Sequence, residues 1–246
     1  MTETAKKWKQ VPWLRIGAEA VAIIASILIA FSLDAWWDGR ELVDRERRYL
    51  QSLESDFLEN RANIDRVIQV QTAVLEATRK LVRLGATAAV TPGADSIKSL
   101  VTLVLQNTNI AQPMNLRTYQ ELLNTSSFQV LRSDSLRTLL ADFGVRSQTL
   151  SGVVGMAAEE WNREVNQHLL TRLDLASLLP PDMLGPEPGL EILPTTVDMG
   201  RLPHDLVFRN IMVGRLALTT VKLSMYRELG ERAEEILAVL GSDSGR

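Results

Sequence analysis

The run from Ile16 to Leu33, IGAEAVAIIASILIAFSL, constrains this chain more than any other stretch: eighteen residues carry one charge, Glu19, near the start. As a helix it extends about 27 Å, close to the hydrocarbon thickness of a bilayer. Trp8 and Trp13 precede the run, and Trp36 and Trp37 follow it. Indole rings favour the headgroup level, so Trp13, Trp36 and Trp37 are expected at the membrane interfaces. The long stem of Arg15 lets its charge snorkel outward. The sequence thus predicts a transmembrane helix over 16–33 behind a short basic tail, residues 1–15. Two rival readings use the same residues. A cleaved signal peptide would draw on Lys6, Lys7, Lys9 and Arg15 as its basic region and on Ala30 and Ser32 near the cut. A buried core helix is the other. The length of the run, and its unbroken passage into a polar helix, favour a retained anchor.

Orientation rests on finer points. Four basic residues precede the span, and four more, Arg40, Arg45, Arg47 and Arg48, follow closely, so the count of basic residues ties. Arg15 abuts the membrane, whereas the later arginines are interleaved with Asp34, Asp38, Glu41, Asp44 and Glu46. That favours a cytoplasmic N-terminus, a single pass through the cell (inner) membrane and a domain outside. Ala18, Ala22, Ser26 and Ala30 recur every four residues and form a face on which two helix backbones can approach closely. Glu19 beside them is costly at membrane depth unless it snorkels or meets a partner. The expected partners are the lipid bilayer, a second copy of the chain, and an unidentified membrane or envelope protein.

About two hundred residues follow the span, enough to bury one core. Residues 34–240 read as a single all-α bundle, with 241–246 a frayed tail. From Asp34 to Leu84 apolar residues fall at helical spacing, and a rough heptad runs through Leu50, Leu53, Phe57, Ile64 and Val67. Asn60 and Gln71 interrupt it, which favours a bundle face over a long coiled coil. Gly85 is a natural stop, and Asp95 or Ser96 is placed to cap a second helix through Gln106. Asn115 is placed to cap a helix to about Leu123, and Ser133 or Asp134 one over Ser135–Phe143. Arg146–Leu179 and His204–Leu240 read as long helices, with Gly152 and Gly155 as points of close packing. The intervening stretch 180–203 holds six of nine prolines and reads as a loop.

The sequence offers little chemistry. Cysteine is absent, which excludes disulfides, thiolate nucleophiles and Cys-based metal sites, and only two histidines occur, His168 and His204. No phosphate loop, His-Glu-x-x-His pair or Gly-x-Ser-x-Gly elbow is present. Net charge is −3, so nucleic acid has no electrostatic footprint here. Glu160, Glu164 and His168 lie four apart, a stripe that fits metal ligands or, more simply, a solvated helix face with i, i+4 pairing. Tyr119 and Glu121 are placed to organise a pocket near the Asn124–Ser127 turn, or Tyr119 to serve as a core aromatic. No cofactor and no catalytic residue are implied.

Three stretches together carry a resemblance. They are the apolar span opening Ile16-Gly17-Ala18-Glu19 and closing Leu33-Asp34-Ala35-Trp36, the segment Tyr49-Leu50-Gln51-Ser52-Leu53, and Thr118-Tyr119-Gln120-Glu121-Leu122 followed by Ser126-Ser127-Phe128 and Leu136-Arg137-Thr138-Leu139-Leu140. They cover about half the chain and resemble a family of uncharacterised bacterial single-pass membrane proteins. Ser127 departs from the glycine expected there, and Ala18 is an insertion before Glu19. The resemblance implies an anchor helix and a helical domain, and brings no activity or site residues. The functional expectation is a self-associating, membrane-anchored interaction or scaffold protein. The alternative is an extracytoplasmic ligand sensor acting through a separate membrane partner, because some fifteen residues before the span are too few for an output domain. An enzyme has the least support.

Overall fold

The computed structural model describes residues 13–87, 93–107, 114–169, 171–173, 178 and 198–243. It is an all-α bundle, and no strand occurs among the described residues. Among the described residues five α-helices follow in order: α1 Trp13–Ala86, α2 Ala94–Asn107, α3 Arg117–Asn124, α4 Asp134–Glu164 and α5 Leu206–Asp243. Short 3₁₀ turns cover Ser127–Val130 and Leu202–His204, and a π-helical turn, Val165–Leu169, extends α4. The chain divides into two compact units, Met1–Tyr49 and Leu50–Arg246, with the boundary inside α1. The short tail and most of the proline-rich stretch, up to residue 197, lie outside the described residues.

In the first unit, α1 is exposed from Gly17 to Leu33, and among the described residues one helix near the N-terminus is long and apolar enough to cross a membrane. The second unit is built on the continuation of α1. Leu53, Phe57, Asn60, Ile64, Val67, Gln71, Val74, Thr78 and Leu81 step by three and four residues, and every one is buried. Asn60 and Gln71, expected to interrupt the heptad, instead sit on its seam and are wholly buried.

The reason for Asn60 is visible. Its side-chain amide donates to the Asn115 carbonyl (2.8 Å) and accepts from the Asn115 backbone N–H (2.6 Å), a clamp across 55 residues. One turn earlier, Asp56 accepts from Asn115 Nδ2 (3.0 Å) and from the Thr118 backbone N–H (3.1 Å). The start of α3 is thus satisfied from α1. Asn115, expected to cap this helix, accepts from the Arg117 N–H through its Oδ1 (3.2 Å), while Leu116 at the cap position makes no side-chain cap bond. Free N–H groups at a helix start need a partner, and here a buried carboxylate supplies it.

Other boundaries also shift. α2 begins at Ala94, with Ser96 and Ile97 N–H groups bonded to Gly93 O, so Asp95 lies inside the first turn. Ser133 caps α4 as expected, accepting from Leu136 N–H at 3.2 Å. The break expected after Phe143 is absent, because α4 runs through Gly144 to bury Leu136, Leu140, Phe143, Ser147, Leu150, Ala157 and Trp161 along one face. Gly144 is needed for space: a Cβ there would lie 2.8 Å from the Tyr119 ring. Among the described residues, a Cβ at Gly152 or Gly155 would meet nothing within 4 Å, so neither marks a close approach there. Gly85 does not end α1, which continues to Ala86; a Cβ at Gly85 would stand 2.1 Å from the Pro203 carbonyl oxygen. Asp205 caps α5 by accepting from Phe208 N–H at 2.8 Å, and α5 continues past the expected end at Leu240.

The core joins α1 to α4 through Phe57 and Phe143, whose rings meet edge to face at 4.8 Å. A second cluster gathers Ala77 and Leu81 of α1, Ile97, Val101 and Val104 of α2, Trp161 of α4, and Phe208, Ile211 and Met212 of α5. Charged pairs fix the register at the surface. Asp142 meets Arg146 at 2.8 Å and Arg232 of α5 at 2.9 Å, and Arg61 meets Glu234 at 2.7 Å.

The Asn60 clamp has a measurable consequence. Asn60→Leu keeps the side-chain size but leaves both backbone groups of Asn115 unsatisfied, at about 1–3 kcal/mol each. Thermal unfolding of the full chain in mild detergent, followed by circular dichroism, is expected to show Tm falling by roughly 5–15 °C. Gln69→Ala, on the exposed side of α1, should leave it unchanged. An unaltered Tm in Asn60→Leu would mean that the clamp is dispensable.

Candidate functional site

The predicted contact face stays on the surface: Ala18, Glu19, Ala22, Ser26 and Ala30 are all exposed on α1. The Ser26 hydroxyl donates to Ile23 O at 2.8 Å, so the helix itself satisfies this polar group. Trp36 and Trp37 are exposed, with ring centroids 5.8 Å apart, and Arg40 lies 5.6 Å from the Trp36 ring. Trp13 and Arg15 belong to α1 by backbone, and their side chains lie outside the description.

Tyr119 is half-buried between Phe128, edge to face at 6.0 Å, and Gly144. Burial raises its phenol pKa. Glu121 points to solvent. The nearby turn is held by Ser126 in the left-handed region (φ 54°). The structure therefore brings Tyr119 to a packing position, with Glu121 exposed two residues further along α3.

Glu160, Glu164 and His168 do come together, in a setting the sequence did not reveal. They line a cleft of about 430 Å³ between α4 with its π-helical extension and α5. Trp161, Val207, Asn210, Ile211, Gly214, Arg215 and Leu218 complete its wall with Ala157. Glu164 Oε2 lies 3.8 Å from His168 Nε2. The π turn accommodates one more residue per hydrogen-bonded ring, which re-aims the side chains following it, a distortion often found at functional sites. Arg172 secures its end by donating to His168 O at 3.1 Å, and approaches Asp205 at the start of α5 at 3.4 Å. No group of three His, Asp or Glu side chains among the described residues is arranged to hold a metal ion.

Arg215 is the feature that sequence reasoning missed. It is 2% exposed and stacks its guanidinium 5.2 Å from the Trp161 ring centroid, a cation–π geometry. Burial pushes its pKa down to about 10. Lys222, two turns further along α5, is also buried, and its pKa is pushed down to about 8, by burial first and by the charge of Arg215 second. Thr219 between them is wholly buried, and its Oγ1 makes no hydrogen bond among the described residues. A signal did exist in the sequence: Arg215, Thr219 and Lys222 follow Ile211 and Met212 in the three-and-four rhythm of a buried face. Val221, one residue before Lys222, is 51% exposed.

No family model matches the chain, and neither a curated protein nor a solved structure matches it.

The depressed Lys222 links stability to pH. The unfolded chain keeps this proton to about pH 10.5, whereas the folded chain releases it at about 8. Between those values the unfolded state binds more protons, so stability rises with pH; below about 8 both states are protonated and the full cost of burying the ammonium is present. The difference in Tm between the native chain and Lys222→Met is therefore expected to move in favour of the native chain from pH 8 to pH 10. A flat difference curve would contradict the desolvated ammonium.

Proposed function

We propose that the chain is a membrane-anchored helical interaction module. It crosses the cell (inner) membrane once at 16–33, with its N-terminus cytoplasmic and its bundle outside. It self-associates through Ala18, Ala22, Ser26 and Ala30, with Glu19 beside them, and offers the bundle to another membrane or envelope protein. The observation that carries the reading is the bare apolar helix, whose most apolar window has a mean hydropathy of 1.9 and is 0% buried. Val21, Ile23, Ile24, Leu28, Ile29 and Phe31 are each more than half exposed. Keeping such side chains in water forfeits about 1.5–3 kcal/mol apiece, and six of them together rival the net stability of a domain. A bilayer removes that cost over a helix of this length. Trp36 and Trp37 at the far end suit the headgroup layer.

Three measurements test it. After alkaline carbonate washing of membranes, the chain should remain in the pellet at its full mass of 27.4 kDa. Loss of the first thirty or so residues would identify a signal sequence and end the anchor reading. Because the chain has no cysteine, single introduced thiols report topology cleanly. Ser242→Cys should react with an impermeant maleimide in intact cells and Thr2→Cys only after permeabilisation; the reverse pattern inverts the orientation. Ala22→Cys should give a disulfide-linked dimer in membranes. The dimer recovered by chemical crosslinking should drop several-fold in Ala22→Leu and Ser26→Leu, and a monomer in every case would remove self-association.

The second reading, a ligand-sensing domain acting through a separate membrane partner, is favoured by the cleft between α4 and α5.

A further inference from the structure

We infer that the outer face of α5 from Leu206 to Ser224, with the adjoining surface of α4, docks a second copy of this chain, the two α5 helices running in the same direction. The shared direction rests on the anchored reading, since two copies leaving one membrane through the same helix extend the same way. The contact itself is separate from the one proposed within the span.

The usual placement of charge is inverted along this part of α5. Leu206, Asn210, Val213, Ala217, Thr220 and Ser224 step by three and four residues, all are exposed, and none is charged. The charged side chains of the stretch lie elsewhere: Arg215 and Lys222 are buried, and Arg209 donates to Gly85 O. A helix whose outer side meets only water carries its charges there. α4 lies alongside, joined to α5 by Trp161 against Arg215 at one level and by Arg146 to Glu228 (3.2 Å) at another. Between those levels residues 147–158 of α4 contain no charge either, and Thr149, Gly152 and Met156 are exposed. Among the described residues beyond Leu50, seven large apolar side chains are exposed. Two are Leu58 and Leu123, and the other five, Val145, Met156, Leu206, Val213 and Val221, all belong to α4 and α5. Apolar side chains gathered in this way mark a contact surface.

The absence of charge selects the occupant. When two identical helices pair in the same direction about a two-fold axis, every position of the face stands opposite its own copy, so any charge there would meet its like. A face without charge over about five turns is what such self-contact requires. A foreign partner is recognised more often through complementary charge. Asn210, Thr220 and Ser224 each carry both a donor and an acceptor, so each can hydrogen-bond to its own copy. Ala217, at the centre, lets the two helices approach closely. The face is about 27 Å long and two helices, about 20 Å, wide, which offers on the order of 500 Å² from each copy. The total of about 1,000 Å² is the lower bound of a specific interface, and it suits a reversible contact between chains already confined to one membrane.

Disulfide trapping and charge exchange in the full chain, carried out in membranes, test this. In the cysteine-free background, Ala217→Cys and Val213→Cys should each give a disulfide-linked dimer on mild oxidation, at least fivefold more than Gln69→Cys on the exposed side of α1. When copies of different tag length are mixed, Leu206→Cys should not link to Ser224→Cys, because these positions lie about 27 Å apart in a parallel pair. Added to Val213→Cys, either Ala217→Glu or Ala217→Lys should lower the dimer several-fold, and co-expression of the two should restore it as a mixed dimer. Position 217 is exposed, and an unchanged Tm establishes that each variant is folded. Links at Ala217→Cys and Val213→Cys no stronger than at Gln69→Cys overturn the inference. So does a Val213→Cys dimer indifferent to Ala217→Glu, or a link between Leu206→Cys and Ser224→Cys. Release of the chain by carbonate ends the anchored reading whatever the links show, whereas a chain that stays in the membrane without a link at either position ends this inference alone.

Discussion

Nine side chains of α1, from Leu53 to Leu81, alternate by three and four residues and are buried without a gap. The bundle is organised against this seam. Phe57 receives Phe143 of α4, while Ala77 and Leu81 receive α2 and α5. Most of the energy is the removal of apolar surface from water, which has little directional character. Direction comes from the polar members. Asn60 can be buried only because it pairs with both backbone groups of Asn115, and that pairing fixes where the chain re-enters after α2. A seam of leucines alone would bury as much area and specify the register less well.

Elsewhere the bundle is set by contacts made far along the chain. Asp56 satisfies the first turn of α3 from 62 residues away. Pro203 lies against the backbone of Gly85, and Arg209 donates to the Gly85 carbonyl at 3.2 Å. Tyr119 fills the space left by Gly144. Each arrangement puts a small residue or a cap where two elements cross. The paired charges Asp142, Arg146 and Arg232 lie near the surface, where such pairs contribute about 0–1 kcal/mol each. They align α4 with α5 more than they stabilise them.

The cleft reverses the economy of the seam. Burying Arg215 and Lys222 on one face costs stability, as their depressed pKa values express. Stacking on Trp161 recovers part of that cost for Arg215. The π-helical turn that ends α4 and the Arg172 contacts that tie it to α5 are further departures from ideal helix packing at the same place. Local departures from the rules that govern the rest of a fold tend to gather at functional sites. Here a buried cation, a distorted helix end and a lined cavity coincide.

The periodicity of the sequence determined the class of fold, the apolar run and the presence of the long helices, because hydrophobic spacing is a local property of the chain. It also placed Ser133 as a cap and Glu160, Glu164 and His168 on a common face. It misjudged Asn60 and Gln71, whose burial is legible only when the partner across the bundle is known. It divided α4 at Gly144, because a glycine's low helix propensity is local while the Tyr119 ring that needs the space is not. It passed over Arg215, because an arginine in an apolar stretch comes to line a cleft only when another helix, here through Trp161, packs against it. The apolar run from Ile16 to Leu33 was determined by sequence alone, since its length and hydropathy need no neighbour. The cleft was decided by tertiary structure alone, because its charges come from two helices whose meeting no local pattern encodes.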